Sequence, residues 1–136
     1  MNEIGIMLYG FDEVTARSIK SALEKINDQD VVLISGCGRE EDLVGEILED
    51  EGHSLWEAVK DPKVVMFLGF DGPGIHASMD GFPVFDGQRR PIFCTPTEEN
   101  INWSLGDLLE DLMEEREYFR KRDEEARTPS PDEKAI

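Results

Sequence analysis

Val64-Val65-Met66-Phe67-Leu68-Gly69-Phe70-Asp71 is an apolar run that stops at Gly-Phe-Asp, and Ile6-Met7-Leu8-Tyr9-Gly10-Phe11-Asp12 repeats the pattern earlier in the chain. Met7 and Met66, Gly10 and Gly69, Phe11 and Phe70, and Asp12 and Asp71 are each 59 positions apart. Each run is too short for a helix and ends at a turn signal, so it reads as a buried strand. The aspartate two places after the glycine then stands where a helix N-cap belongs.

The same offset sets Val32-Leu33-Ile34-Ser35 on Pro91-Ile92-Phe93-Cys94, strand on strand. With two residues inserted, Glu46-Ile47-Leu48-Glu49-Asp50 falls on Asp107-Leu108-Leu109-Glu110-Asp111. The implied unit is strand, Gly-Phe-Asp, helix, strand, loop, helix, used twice, with half-repeats 1–61 and 62–122. Duplication of a βαβα unit and chance similarity between strand-plus-cap segments both account for it.

Between these anchors the remaining elements follow from spacing. Val14, Ala16, Ile19, Leu23 and Ile26 mark a helix that ends at Asn27-Asp28, and Val31 to Ile34 is the second strand. A helix from about Glu40 carries Leu43, Val44, Ile47 and Leu48 inward until Gly52. Ser54-Leu55-Trp56-Glu57 has the form of a capping box and predicts a further helical turn before Asp61-Pro62. From Asp71 to Pro83, Pro73 suits a first helical turn and Ile75, Met79 and Phe82 share a face, whereas three glycines weaken a helix there. Pro91 to Thr95 is the fourth strand, with Pro91 at a start or an edge. A long last helix from about Asn102 has Leu105, Leu108, Leu109, Leu112, Met113 and Phe119 on one stripe, followed by Arg120-Lys121-Arg122 near its C-terminus. Residues 123–136, charged and ending in a stretch with two prolines, read as a disordered tail beyond a single domain of residues 1–122.

Alternating strands and helices predict an α/β fold: a small, four-stranded, mainly parallel sheet with helices on both faces. Right-handed crossovers about a two-fold axis along the strands give strand order 2-1-3-4, with the two halves covering opposite faces. In that arrangement the crevice lies outside the carboxyl ends of the first and third strands, and both Gly-Phe-Asp turns face it. Cys37 and Cys94 then sit at the carboxyl ends of the outer strands, about 14 Å apart and beyond disulfide reach.

Composition narrows the function classes. The 136 residues carry 31 acidic and 14 basic side chains, a formal charge of −17 that repels nucleic acid and anionic membrane. No apolar run approaches the roughly 20 residues that span a bilayer, and Met1-Asn2-Glu3-Ile4 lacks the basic region of a signal peptide. Cys37 and Cys94, the only cysteines, fit a reducing compartment, so a cytoplasmic location is expected. His53 and His76 share no ligand spacing with each other or with a cysteine, and read as surface residues.

A second strand closed by Gly-Phe, Leu68-Gly69-Phe70, echoes Leu8-Tyr9-Gly10-Phe11. A final segment then combines Thr95-Pro96-Thr97, Asn100 or Asn102, Trp103 and the leucine-rich Leu105 to Glu115. In these motifs the chain, up to about Phe119, resembles a catalogued prokaryotic domain of unknown function. That resemblance implies no activity.

Candidate ligand-binding residues are those of the two turns, Gly10, Phe11, Asp12, Gly69, Phe70 and Asp71, together with Thr95, Thr97, Asn100, Asn102 and Trp103 at the mouth of the fourth strand. Asp12 and Asp71, if brought together, have the chemistry to hold Mg²⁺. Helix capping explains the same two aspartates more simply, and neither turn forms a nucleotide loop. Loop capping with Trp103 packed beneath likewise explains the third cluster. Cys37 lacks a histidine close in sequence, and Glu114-Glu115-Arg116-Glu117 reads as a solvated helix face. No catalytic set, metal site or cofactor is expected. The leading expectation is a non-catalytic module acting through protein contact, as a homodimer through Leu112, Tyr118 and Phe119 on the last helix. A small-ligand site between the Gly-Phe-Asp turns is the alternative.

Overall fold

A computed structural model describes residues 3–84 and 90–127. Strands β1 (Ile4–Tyr9), β2 (Val31–Ser35), β3 (Val64–Leu68) and β4 (Ile92–Cys94) form one sheet in the order β2-β1-β3-β4. Among the described residues the helices are α1 (Glu13–Asn27), α2 (Val44–Leu48), α3 (Gly72–Asp80) and α4 (Leu105–Arg127), with a 3₁₀ turn at Asn100–Asn102.

β1 pairs parallel with β2, and β3 parallel with β4, but β1 and β3 are antiparallel, with Gly5 opposite Leu68 and Tyr9 opposite Val64. The strand order is the expected one, and the direction of the central pair is not. Right-handed crossovers allow two solutions for strands leaving a centre in opposite directions: parallel with helices on opposite faces, or antiparallel with helices on the same face. This chain adopts the second.

Alternation along the strands then sorts the core into two layers. Ile4, Ile6, Leu8, Val31, Val65 and Phe67 meet Ala16, Ile19 and Leu23 of α1, with Ile75 and Met79 of α3 packed against them. On the other face Met7, Ile34, Val64 and Met66 meet Val44 and Ile47 of α2 and Leu105, Leu108, Leu109 and Leu112 of α4. The first helices of both half-units therefore share one face, and the second helices share the other. The register agrees: Ile6 lies opposite Phe67 on one side, Met7 opposite Met66 on the other.

Several expected boundaries move. Val14 is 77% exposed, because it lies about 200° around the helix from Ala16 and so misses the stripe of Ala16, Ile19 and Leu23. The helix expected from Glu40 begins only at Val44. The carbonyls of Glu40 and Asp42 instead accept from Gly106 N (2.8 Å) and Leu105 N (2.9 Å), which closes the start of α4 rather than a turn of α2. The capping-box segment is not helical: Leu55 O accepts from Ser35 Oγ, and Val59 N donates to Gly10 O at 3.0 Å. The Asp71-to-Pro83 segment does form a helix, with Asp71 as cap and Pro73 in the first turn. α4 runs on to Arg127, so residues 123–127 of the expected tail are helical. The rest of that tail lies outside the described residues.

Candidate functional site

At the first turn, Gly10 has φ +90°, and a side chain there would place its Cβ 2.8 Å from Val59 Cγ2 and 2.9 Å from Pro62 O. Phe11 is buried, and Asp12 Oδ1 accepts from Thr15 N at 2.8 Å to cap α1. Lys63 fills the remaining space. Its ammonium is buried, donates to Gly10 O (2.8 Å) and to Val59 O, and lies 5.4 Å from the centre of the Phe11 ring. Carbonyl acceptors and an aromatic face suit a buried cation. Asp12 Oδ1 and the Lys63 ammonium are both engaged within the chain.

The second turn repeats the geometry at the other end of the sheet. Gly69 has φ +75°, with Glu3 O 2.6 Å from where a Cβ would stand. Phe70 packs edge-on to Phe67, ring centres 5.1 Å apart, and Asp71 Oδ1 accepts from Gly74 N at 2.7 Å. A cavity of about 330 Å³ opens beside it, lined by Ile4, Asn27, Gln29, Gly69, Phe70, Asp71 and Gly74. Asn27 Nδ2 is already bonded to Leu23 O (2.8 Å) and Ser78 Oγ (3.0 Å).

The antiparallel central pair separates what the sequence was expected to bring together. Gly10 follows β1 next to Lys63, whereas Gly69 follows β3 next to Glu3, so the turns lie a strand length apart, about 20 Å at ~3.4 Å per residue. They do not share a crevice, and Asp12 and Asp71 do not converge on one ion. For the same reason the two cysteines do not share one end of the sheet: Cys94 lies level with Met66, Met7 and Ile34 in the middle of the sheet, Cys37 follows the end of β2, and both are free thiols.

Thr95, Thr97 and Asn100 are brought together. Asn100 Oδ1 accepts from Thr97 N (2.8 Å), Asn100 Nδ2 donates to Thr95 O (3.2 Å), and Asn100 N donates to Thr97 Oγ1 (3.0 Å). Asn100 is buried and both ends of its amide shape the loop, so it is the structural asparagine, while the exposed Asn102 donates to Glu98 O at 3.1 Å. Trp103 packs on the α2/α4 face and its carbonyl accepts from Val44 N at 2.9 Å.

Cys37 and His53 come together without a thiol–imidazole bond, and the exposed His76 lies 3.5 Å from Asp80. The Cys37 thiol points at Phe11 O (3.8 Å) and Glu57 O (3.6 Å), and the half-buried His53 reaches the Cys37 carbonyl at 2.8 Å rather than its sulfur. Burial, then the nearby Glu115, pushes the Cys94 thiol up to about 12. Burial and the bond to Glu40 push the Tyr9 phenol up to about 12 as well. Among the described residues, no group of three or more His, Cys, Asp or Glu side chains is placed to hold a metal ion. Among them, too, no helix is long and apolar enough to cross a membrane.

One feature escaped the sequence reading. A groove of about 490 Å³ runs between edge strand β4 and α4, lined by Arg90, Pro91, Ile92, Phe93, Leu112, Glu115, Arg116, Phe119 and Arg120. Arg116 is anchored beneath it by two bonds to Asp61, at 3.0 and 2.6 Å. The visible signal was Arg116 itself, one base inside an acidic run. Leu112 is buried in the chain's own core, so of the three residues expected at a dimer contact only Tyr118 and Phe119 face outward.

No curated protein and no solved structure matches the chain. The Gly-Phe-Asp turn after β1 lies outside the one matched span, which takes in the turn after β3, the Thr95-to-Trp103 loop and the first two-thirds of α4. Over residues 63–119 the chain matches a family model described as a domain of unknown function, DUF3783.

Proposed function

We propose that this chain is a non-catalytic, cytoplasmic α/β module that acts by protein contact and self-associates through the distal part of α4. The observation that carries this reading is the exposure of two adjacent aromatics, Tyr118 at 62% and Phe119 at 46%, on a helix that has already left its own core. Their rings lie 5.5 Å apart in an edge-to-face pair. Aromatic side chains so placed are what protein interfaces bury at their centres. The charge of −17 opposes a nucleic-acid partner.

For the small-ligand alternative, the supporting feature is the cavity beside Gly69 and Asp71. Asp71 is engaged as a helix cap there, which favours the contact reading. Size-exclusion chromatography with light scattering tests it directly. A dimer is expected, and a strict monomer at high concentration removes the self-association.

A further inference from the structure

The geometry points to an isologous, antiparallel pairing of α4 with α4 of a second copy, centred between Tyr118 and Phe119, in which Glu115 of each copy faces Arg122 of the other. This rests on the self-association reading and adds the interface and its register. Asp111, Glu115, Tyr118, Phe119 and Arg122 are all exposed, and their spacing of four, three, one and three residues puts them on one strip of the helix. That strip averages about 80° from the core stripe of Leu105, Leu108, Leu109 and Leu112. Phe119, seven residues after Leu112, is at the edge nearest the core, where it and Glu115 also line the groove beside β4, so a helix laid along the strip runs beside the chain's own sheet.

A two-fold axis across the helix exchanges residues equidistant from the centre. Glu115 lies three residues before Tyr118, and Arg122 lies three after Phe119. The aromatic pair therefore meets its own copy, and the charges on either side meet their opposites, twice. This is the self-complementarity an isologous interface requires. A parallel, in-register pairing would instead set Glu115 on Glu115 and Arg122 on Arg122, and antiparallel packing also opposes the two helix dipoles. Among the described side chains, the like-charged pair in the antiparallel register is Arg116 with Lys121. It falls on the flank of the strip, and Arg116 is already paired with Asp61.

Charge reversal tests the register. Glu115→Lys and Arg122→Glu are exposed helix positions, and circular dichroism confirms that each variant stays folded. Each single variant is expected to weaken dimerisation roughly tenfold in Kd, measured by sedimentation equilibrium, because two attractive contacts become repulsive. The double variant E115K/R122E, and an equimolar mixture of the two single variants, are expected to regain it. A wild-type dimer that none of the substitutions weakens, or that the double variant fails to restore, overturns this register while leaving self-association standing. A wild-type monomer overturns both.

Discussion

Gly69 shows how a single position carries the turn. Its φ of +75° lies where only glycine is at ease, and a Cβ would stand 2.6 Å from the backbone oxygen of Glu3, a contact no side-chain rotation relieves. Gly69→Ala is expected to lower the unfolding free energy by about 2–3 kcal/mol, read from urea denaturation. At Gly10 the nearest obstacle is the Val59 side chain at 2.8 Å, but Pro62 O at 2.9 Å makes that turn nearly as intolerant.

The caps beyond these glycines add a pH signature. The Thr15 backbone N–H holds the Asp12 carboxyl below the usual carboxylate range. A depressed folded-state pKa gives stabilisation that is complete above the unfolded value near 3.8 and is lost as pH falls through the lowered one. Asp12→Ala is thus expected to cost about 1 kcal/mol at neutral pH. The gap between wild type and variant closes below about pH 4, which urea titrations at several pH values measure.

At the scale of elements, α4 is fixed at its N-terminus and at its middle by groups outside it. Its N-terminus is closed by Glu40 O and Asp42 O, and its middle is tied to the loop before β3 by the two-bond Arg116–Asp61 pair, whose side chains are 23% and 26% exposed. Asp61→Asn keeps the shape and removes the charge. It is expected to cost about 1 kcal/mol in urea denaturation, allowing for partial screening by solvent. That tie is also where the legibility of the chain divides. The strands, the two aspartate caps and the order 2-1-3-4 could be read because each depends on local spacing or on handedness. The direction of β3 could not, since the handedness rule is unchanged when strand direction and helix face are reversed together. With β3 reversed, Gly10-Phe11-Asp12 and Gly69-Phe70-Asp71 move to opposite ends of the sheet, and the expected crevice disappears. The lost helical turns at Glu40 and Ser54 have the same kind of cause. Their backbone groups bond to α4, Gly10 and Ser35, partners far away in sequence that no local pattern announces.

For the whole molecule, the charge of −17 opposes both folding and self-association. Within one chain, 31 acidic against 14 basic residues give a net self-repulsion that disfavours the compact state. Added salt shortens the Debye length from about 30 Å at 0.01 M to about 8 Å at 0.15 M, which relieves that repulsion. Surface pairs such as Arg17–Glu13 at 3.2 Å lose some attraction as well, but exposed pairs contribute little to begin with. The unfolding midpoint of a dilute, monomeric sample should therefore rise between 0.01 and 0.15 M sodium chloride. The dimer responds to two terms. Screening reduces the general repulsion between two acidic copies, while it weakens the Glu115–Arg122 contacts at the interface. Beyond about 0.15 M the long-range term is largely exhausted, and the loss at short range is what continues. Dimerisation followed by sedimentation equilibrium is then expected to strengthen up to moderate salt and to decline toward 1 M. The double variant E115K/R122E, which preserves the charge pattern across the interface, should follow the same curve. A dimer that strengthens steadily through 1 M salt would instead be held by the Tyr118 and Phe119 contact alone.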